Sequence, residues 1–172
     1  YDEAGKWYDK AVTEARSRDT GTLQQNLYER GCFLKQQGDF AGAYRDISEA
    51  LNMGTYRQED HVKTLAQVCC GLGKYQEASK LLENYLSMSR IQAVNERILL
   101  GIVYDNLGNT AKSKEMFESA AKLQLLDAYN IPLFYANKQI GNDTGSMKIK
   151  PSDQSKLLTE LGAPAGSLKT NW

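Results

Sequence analysis

Three short turns recur in this chain at intervals of 35 residues: Gly38-Asp39-Phe40, Gly73-Lys74-Tyr75 and Gly108-Asn109-Thr110. Self-similarity at a fixed period of roughly 20–50 residues marks a repeat architecture, and a period of about 34 fits one helix–turn–helix unit. Such a pair has an apolar face that it cannot cover by itself, so neighbouring pairs cover it by stacking. The expected fold is therefore all-α, a stack of helix pairs with an extended wall. A wall of that kind suits holding another protein or peptide and offers no reaction centre.

The register carries residue size as well as spacing. In the first full unit Leu27, Gly31 and Leu34 precede the turn, and Phe40, Ala43, Ile47 and Ala50 follow it. One period on stand Val62, Ala66, Cys69 and then Tyr75, Ala78, Leu82, Tyr85; another period gives Arg97, Gly101, Tyr104 and then Thr110, Ser113, Phe117, Ala120. Small residues recur where two helices must approach closely (Gly31, Ala66, Gly101; Ala43, Ala78, Ser113), and large ones recur at the filling positions Ile47, Leu82 and Phe117. Helix pairs are expected at 22–37/40–53, 56–71/75–88 and 90–106/110–124, after a single helix at 2–17.

This layout resembles the tetratricopeptide repeat. The family pattern has a small residue and an aromatic in the first helix, Gly-x-Tyr at the turn, then Ala, Phe and Ala down the second. Gly101, Tyr104, Gly108, Phe117 and Ala120 match it in one repeat, and Gly31, Gly38, Phe40, Ala43 and Ala50 in another. The early aromatic is replaced by Leu27, Val62 and Arg97, and the closing proline is absent, so the chain reads as a divergent, bacterial-type member. The resemblance implies an α-solenoid of tetratricopeptide-type helix pairs over residues 1–124, with a half repeat at 1–17 and full repeats at about 22–54, 55–88 and 89–124. Residues 125–172 would then form C-terminal capping helices and a tail.

Tyr1, Ala4, Tyr8 and Ala11 repeat the offsets of Phe40, Ala43, Ile47 and Ala50, so the first helix reads as the second half of a repeat. Any signal, anchor or further repeat would lie upstream, and one side of that helix is expected to meet upstream residues or a second copy of the chain. Thr22 with Gln25, Thr55 with Gln58, and Ser89 with Gln92 have capping-box spacing. Gly54 stands where a left-handed cap is wanted. After the repeats, Asn130-Ile131-Pro132 reads as a helix start, 141–150 as a loop, and Ser152 as the cap of a short helix reaching Leu161 and ended by Gly162 and Pro164. The stretch from Ala165 to Trp172 lacks periodicity and is expected to be mobile unless it docks.

Lysine plus arginine equals aspartate plus glutamate at 21 each among 172 residues. A nucleic-acid partner is not expected, because such binders carry a basic excess or stripe. No apolar run approaches the roughly 18 residues of a spanning helix. The three cysteines, Cys32, Cys69 and Cys70, admit a Cys32–Cys70 bridge or, the favoured reading, three small buried thiols. An odd count without a framework leans toward a reducing, cytoplasmic compartment, with a periplasmic or lipid-anchored one if a signal lies upstream. The lone His61 is expected to face solvent, and no zinc, phosphate-loop or nucleophile-elbow motif occurs. Gly71-Leu72-Gly73-Lys74 follows a helix rather than a strand, and the repeat turn accounts for it. Glu3, Glu59 and Asp60, with Asp2, read as charges favoured at helix starts. No catalytic residue, cofactor or metal is expected.

In tetratricopeptide arrays the first helices build the concave wall. Here that places Tyr28, Gln67, Asn95, Ile98, Leu99 and Ile102 as candidate partner-binding residues. The two-carboxylate clamp that other members use for acidic chaperone tails is not carried over, because its positions hold Tyr28, Cys32, Thr64, Asn95 and Leu99. For the apolar patch at Ile98, Leu99 and Ile102 two readings stand: a partner side chain docks there, or the chain's own C-terminal apolar residues cover it. The second is favoured, since 133–136 and 157–161 need a home. The resemblance implies a scaffold or adaptor, such as an assembly factor or chaperone in a bacterial secretion or pilus machine. The alternative is the recognition arm of a larger enzyme or regulator.

Overall fold

The computed structural model describes residues 3–54, 58–89, 92–124, 130–147 and 149–171, and all its regular elements are helices. They are α1 (Glu3–Ala15), α2 (Thr20–Gln36), α3 (Phe40–Met53), α4 (Gln58–Gly71), α5 (Tyr75–Met88), α6 (Val94–Asn106), α7 (Thr110–Leu123) and α8 (Ile131–Gln139), then two single turns, α9 (Pro151–Gln154) and α10 (Leu157–Glu160). Helices adjacent in sequence pack on one another along the whole series from α1 to α8. The Thr55 cap, Tyr1, Asp2 and Trp172 lie outside the described residues.

The three periodic turns share one geometry. Gly38, Gly73 and Gly108 take φ values of +81°, +69° and +74°, a region that glycine enters without steric cost. Each lets the next residue's N–H reach back five positions: Asp39 to the Leu34 carbonyl, Lys74 to Cys69 and Asn109 to Tyr104, all at 2.9 Å. This satisfies carbonyls that a helix end would otherwise leave bare. Asp39 and Asn109 then cap the following helix, their side chains accepting from Gly42 N at 2.9 Å and Lys112 N at 3.1 Å. One residue thus closes one helix and opens the next.

Close approach explains the small residues. A Cβ placed on Gly31 would stand 2.5 Å from Ile47 Cγ1, and one on Gly101 would stand 2.5 Å from Phe117 Cε1. Ala43, Ala66 and Ala78 are fully buried, as are Ile47, Leu82 and, at 1% exposure, Phe117. Because such sites have no spare volume, Ala78→Leu and Gly101→Leu should each destabilise by roughly 1–3 kcal/mol through overpacking. Unchanged thermal melts for both variants would contradict the packing register.

Polar links tie the first helices of the series together at its N-terminal end. The Arg30 guanidinium on α2 donates to both carboxylate oxygens of Asp46 on α3, at 2.6 and 3.0 Å, and reaches Asp9 on α1 at 3.1 Å. Asp46 is wholly buried. Arg16, just past α1, makes a second two-pronged contact with Glu49 at 2.7 and 2.9 Å.

Several local expectations are corrected. Asp19, not Thr22, caps α2, accepting from Gly21 N and Thr22 N; a carboxylate at the end of the polar linker reaches the free N–H groups first. Ser89 ends α5 rather than starting α6, which begins only at Val94 after Ala93 turns through φ 49°. Gly54 is extended, at φ 175°, and not left-handed. Ser152 lies inside α9, which opens at Pro151, and the expected continuous helix to Leu161 is two separate turns. On α1 the buried residues are Gly5, Val12 and Ala15, and Tyr8 packs on Phe33 of α2, while Ala4 is exposed. Asn130 does cap α8, with Pro132 in its first turn. Leu133, Tyr135 and Ala136 are buried there against α6 and α7.

Candidate partner-binding groove

The wall is built by α2, α4 and α6, the first helices of successive pairs, and side chains cross from each to the next. The Tyr28 and Thr64 hydroxyls hydrogen-bond at 3.0 Å, and Lys35 Nζ donates to Gln67 Oε1. Lys63 faces Glu96 at 3.9 Å. These contacts occupy the polar part of the wall and hold its helices at fixed separation.

His61 corrects the expectation of a solvent-facing side chain. It is 1% exposed, and its ring packs on Tyr28 with centroids 4.3 Å apart. The aromatic ring of the preceding first helix covers it, which the polar character of the α4 start does not reveal. Burial pushes the Tyr28 phenol up to about 12. It does the same to the Cys69 and Cys70 thiols. Both cysteines are therefore protonated near neutral pH, and the thiolate is the reactive form. All three cysteines are free.

The remaining candidates separate into two groups. Asn95 is exposed at the start of α6, and Gln67 is half-buried at the centre of the wall. Ile98, Leu99 and Ile102, expected as apolar anchors, are 0–1% exposed and belong to the central core together with Leu133, Leu157, Leu158, Leu161 and Leu168. The apolar end of the wall is thus closed by the chain itself. No incoming side chain reaches these three residues in this arrangement.

The C-terminal stretch docks instead of hanging free. Its main chain is held by side chains from four helices, starting with Gln67 Nε2, which donates to the Leu161 carbonyl at 3.3 Å. Tyr75 OH donates to the Ser167 carbonyl at 2.6 Å. The Asn106 amide pairs with both main-chain groups of Lys169, donating to its carbonyl and accepting from its N–H, each at 2.9 Å. Finally Gln139 donates to the Asn171 carbonyl, while Asn171 N–H donates to Tyr135 OH. At Gly162, φ is +74° and a Cβ would lie on the Gln67 amide, so only glycine fits the bend that brings the tail onto α4. Tyr75, Asn106, Tyr135 and Gln139 were not candidates by sequence. Their partners are main-chain atoms, which leave no mark on hydrophobic periodicity.

Comparison with known proteins follows the same lines. The tetratricopeptide-repeat family profile matches residues 97–125, spanning α6, the Gly108 turn and α7. Residues 97–125 thus carry a tetratricopeptide repeat. Among solved structures its fold is similar to that of MamA, with a TM-score of 0.64 over 92% of this chain and 84% of the other, at 15% sequence identity. At that identity the likeness concerns the fold alone. No curated protein sequence matches significantly. Among the described residues no helix is long and apolar enough to cross a membrane.

Proposed function

We propose that this chain is a protein-interaction scaffold or adaptor that holds a peptide or protein partner against the wall formed by α2, α4 and α6. The observation that carries the reading is the docking of the chain's own C-terminal main chain at the edge of that wall, by side chains of α4 and α6 and of the neighbouring α5. A surface that satisfies main-chain N–H and C=O groups of one segment has the chemistry to satisfy another's. The reading is that of a binding module and not of an enzyme. In it, residues 1–124 form the repeat array, divided at about 22–54, 55–88 and 89–124 after the half repeat 1–17, and 125–172 form the cap and tail. An assembly or chaperone role in a bacterial secretion or pilus machine is the form of the proposal that the resemblance favours.

Site-specific photo-cross-linking in the intact protein tests it. A cross-linker at Asn95 or Glu29, on the wall, is expected to capture the partner, while one at Lys80 or Lys114, on the outer helices α5 and α7, is not. A further cross-linker at Trp7, 59% exposed on α1, reports self-association through the face where a second copy would pack. Capture from Lys80 and Lys114 only would place the partner on the outer surface and end the wall model.

A further inference from the structure

The C-terminal segment divides into two parts that are held in different ways. Leu157, Leu158, Leu161 and Ala163 are 0–5% exposed and sit in the central core, so this part is built into the fold. Beyond it, residues 164–171 have no helix, and Leu168 is their one deeply buried side chain, at 5% exposure. Ala165, Gly166, Lys169 and Asn171 are exposed. What positions this second part is the set of bonds from Tyr75, Asn106, Gln139 and Tyr135, every one of which ends on a main-chain atom of the tail.

We propose that residues 164–171 are an intramolecular peptide ligand. The surface under them on α5, α6 and α8 is then a main-chain-reading site for a partner segment in which small, uncharged residues lead through a turn to a leucine and the few residues that follow it. The proposal rests on the scaffold reading above and names its ligand chemistry and its control. Asn106 is the centre of the site, since its amide pairs with both the N–H and the C=O of one residue, Lys169, as a neighbouring strand would. Such a pairing ignores the side chain of the residue it holds. Selectivity comes from the slot that buries Leu168 and from the turn that precedes it, where Gly166 takes φ +75° and the Ser167 N–H donates to the Pro164 carbonyl at 3.1 Å.

The tail is also poised to leave. One buried leucine and hydrogen bonds that water can replace make a locally weak unit, the kind that opens without unfolding its neighbours. Gly162 and Gly166, at φ +74° and +75°, flank Pro164 at the point where the segment departs from the core. Beside that point an open cleft of about 380 Å³, lined by Lys35, Phe40, Thr159 and Pro164 among others, continues the groove past its own occupant. A partner segment longer than the tail therefore has room to run on. While the tail is docked, the apparent affinity for a partner is reduced by the fraction of molecules in the open state.

The test uses the full chain and a fluorescein-labelled peptide, Ala-Pro-Ala-Gly-Ser-Leu-Lys-Thr-Asn, the sequence of residues 163–171. Leu168→Glu should release the tail and bind this peptide about tenfold or more tightly than the unaltered chain. Adding Asn106→Ala should lose about tenfold again, and a peptide with glutamate in place of its leucine should not bind. Equal affinity of the unaltered and Leu168→Glu chains, or no binding by a Leu168→Glu chain that keeps its helical spectrum, overturns the proposal. If that variant does not fold, hydrogen exchange on the unaltered chain decides. Exchange at Leu168–Asn171 about 100-fold faster than in the middle of α6 supports a detachable tail, and equal rates show that it is welded to the core. A concentration-dependent dimer by light scattering that exchanges tails would hand the site to a second copy and exclude a foreign partner. Partner cross-links confined to the wall near Asn95, with no effect of tail release, would leave the scaffold reading standing while this inference falls. Peptide binding as described, with no wall cross-link to any partner, would do the reverse.

Discussion

Phe117→Ala is expected to lower stability by about 3–5 kcal/mol, the range for deleting a buried aromatic ring. The ring is 1% exposed and fills the space that Gly101 leaves on α6, and its edge meets the Tyr135 ring of α8 with centroids 5.8 Å apart. It therefore joins α6, α7 and α8, and its loss opens a cavity where three helices meet. In a stack whose stability is a sum of unit and neighbour-contact terms, a lesion there loosens both the last pair and the helix that covers it. Urea denaturation followed by circular dichroism measures the effect. Phe117→Leu, which keeps most of the volume, should lose less than about half as much. A Phe117→Ala chain within about 1 kcal/mol of the original would mean that α8 and α7 close over the gap at little cost, and that the filling role assigned to residue 117 is wrong.

Asp46→Ala should cost about 3 kcal/mol, for a different reason. The substitution removes little apolar surface but strips the Arg30 guanidinium of both bonds to its buried partner, leaving a side chain only 14% exposed with the half-exposed Asp9, at 3.1 Å, as its remaining counter-charge. Breaking one side of a buried pair is costly because the other charge stays behind without solvent, at roughly 3–5 kcal/mol in well-enclosed cases. The partial exposure of Arg30 and its contact with Asp9 put this example at the lower end. The same physics makes the converse checkable: Arg30→Met with Asp46→Leu should recover most of the loss, since two apolar side chains of similar size carry no desolvation penalty. If the double variant melts as low as Asp46→Ala alone, the loss comes from packing and not from the stranded charge.

Much of the fold was legible because its requirements fall on single residues. A left-handed turn every 35 positions demands glycine, and Gly38, Gly73 and Gly108 supply it. The approach of Gly101 to Phe117 demands one small and one large partner, and the register displays both. What stayed hidden depends on contacts between units or on main-chain atoms. His61 looks solvated from its neighbours in sequence, yet Tyr28, thirty-odd residues earlier, lies over it. The caps went astray where two acceptable residues stood close together, as with Asp19 and Thr22, because the path of the linker decides between them and the pattern does not. For the wall, Tyr28 and Gln67 make contacts between α2 and α4, and of the two readings of the apolar trio the structure shows the one in which the C-terminal leucines cover it. Asn106 and Tyr75 were missed because an asparagine or tyrosine that reads another segment's main chain looks like any other polar helix residue.

The pairing of Asn106 with Lys169 sets length apart from spelling. Since the amide grips only the peptide groups, the residues at 169 and 170 are free to drift to almost anything but proline, while the count of residues between Leu161 and Leu168 is not. Adding or deleting one residue in that interval would turn Leu168 away from its slot and bring the wrong peptide group to Asn106, whereas many substitutions would pass unnoticed. Among descendants of this chain, the last stretch should therefore wander in composition while keeping its measure. Its register can be recognised by the distance between two leucines, with Gly162 after the first, even where little else in the tail aligns.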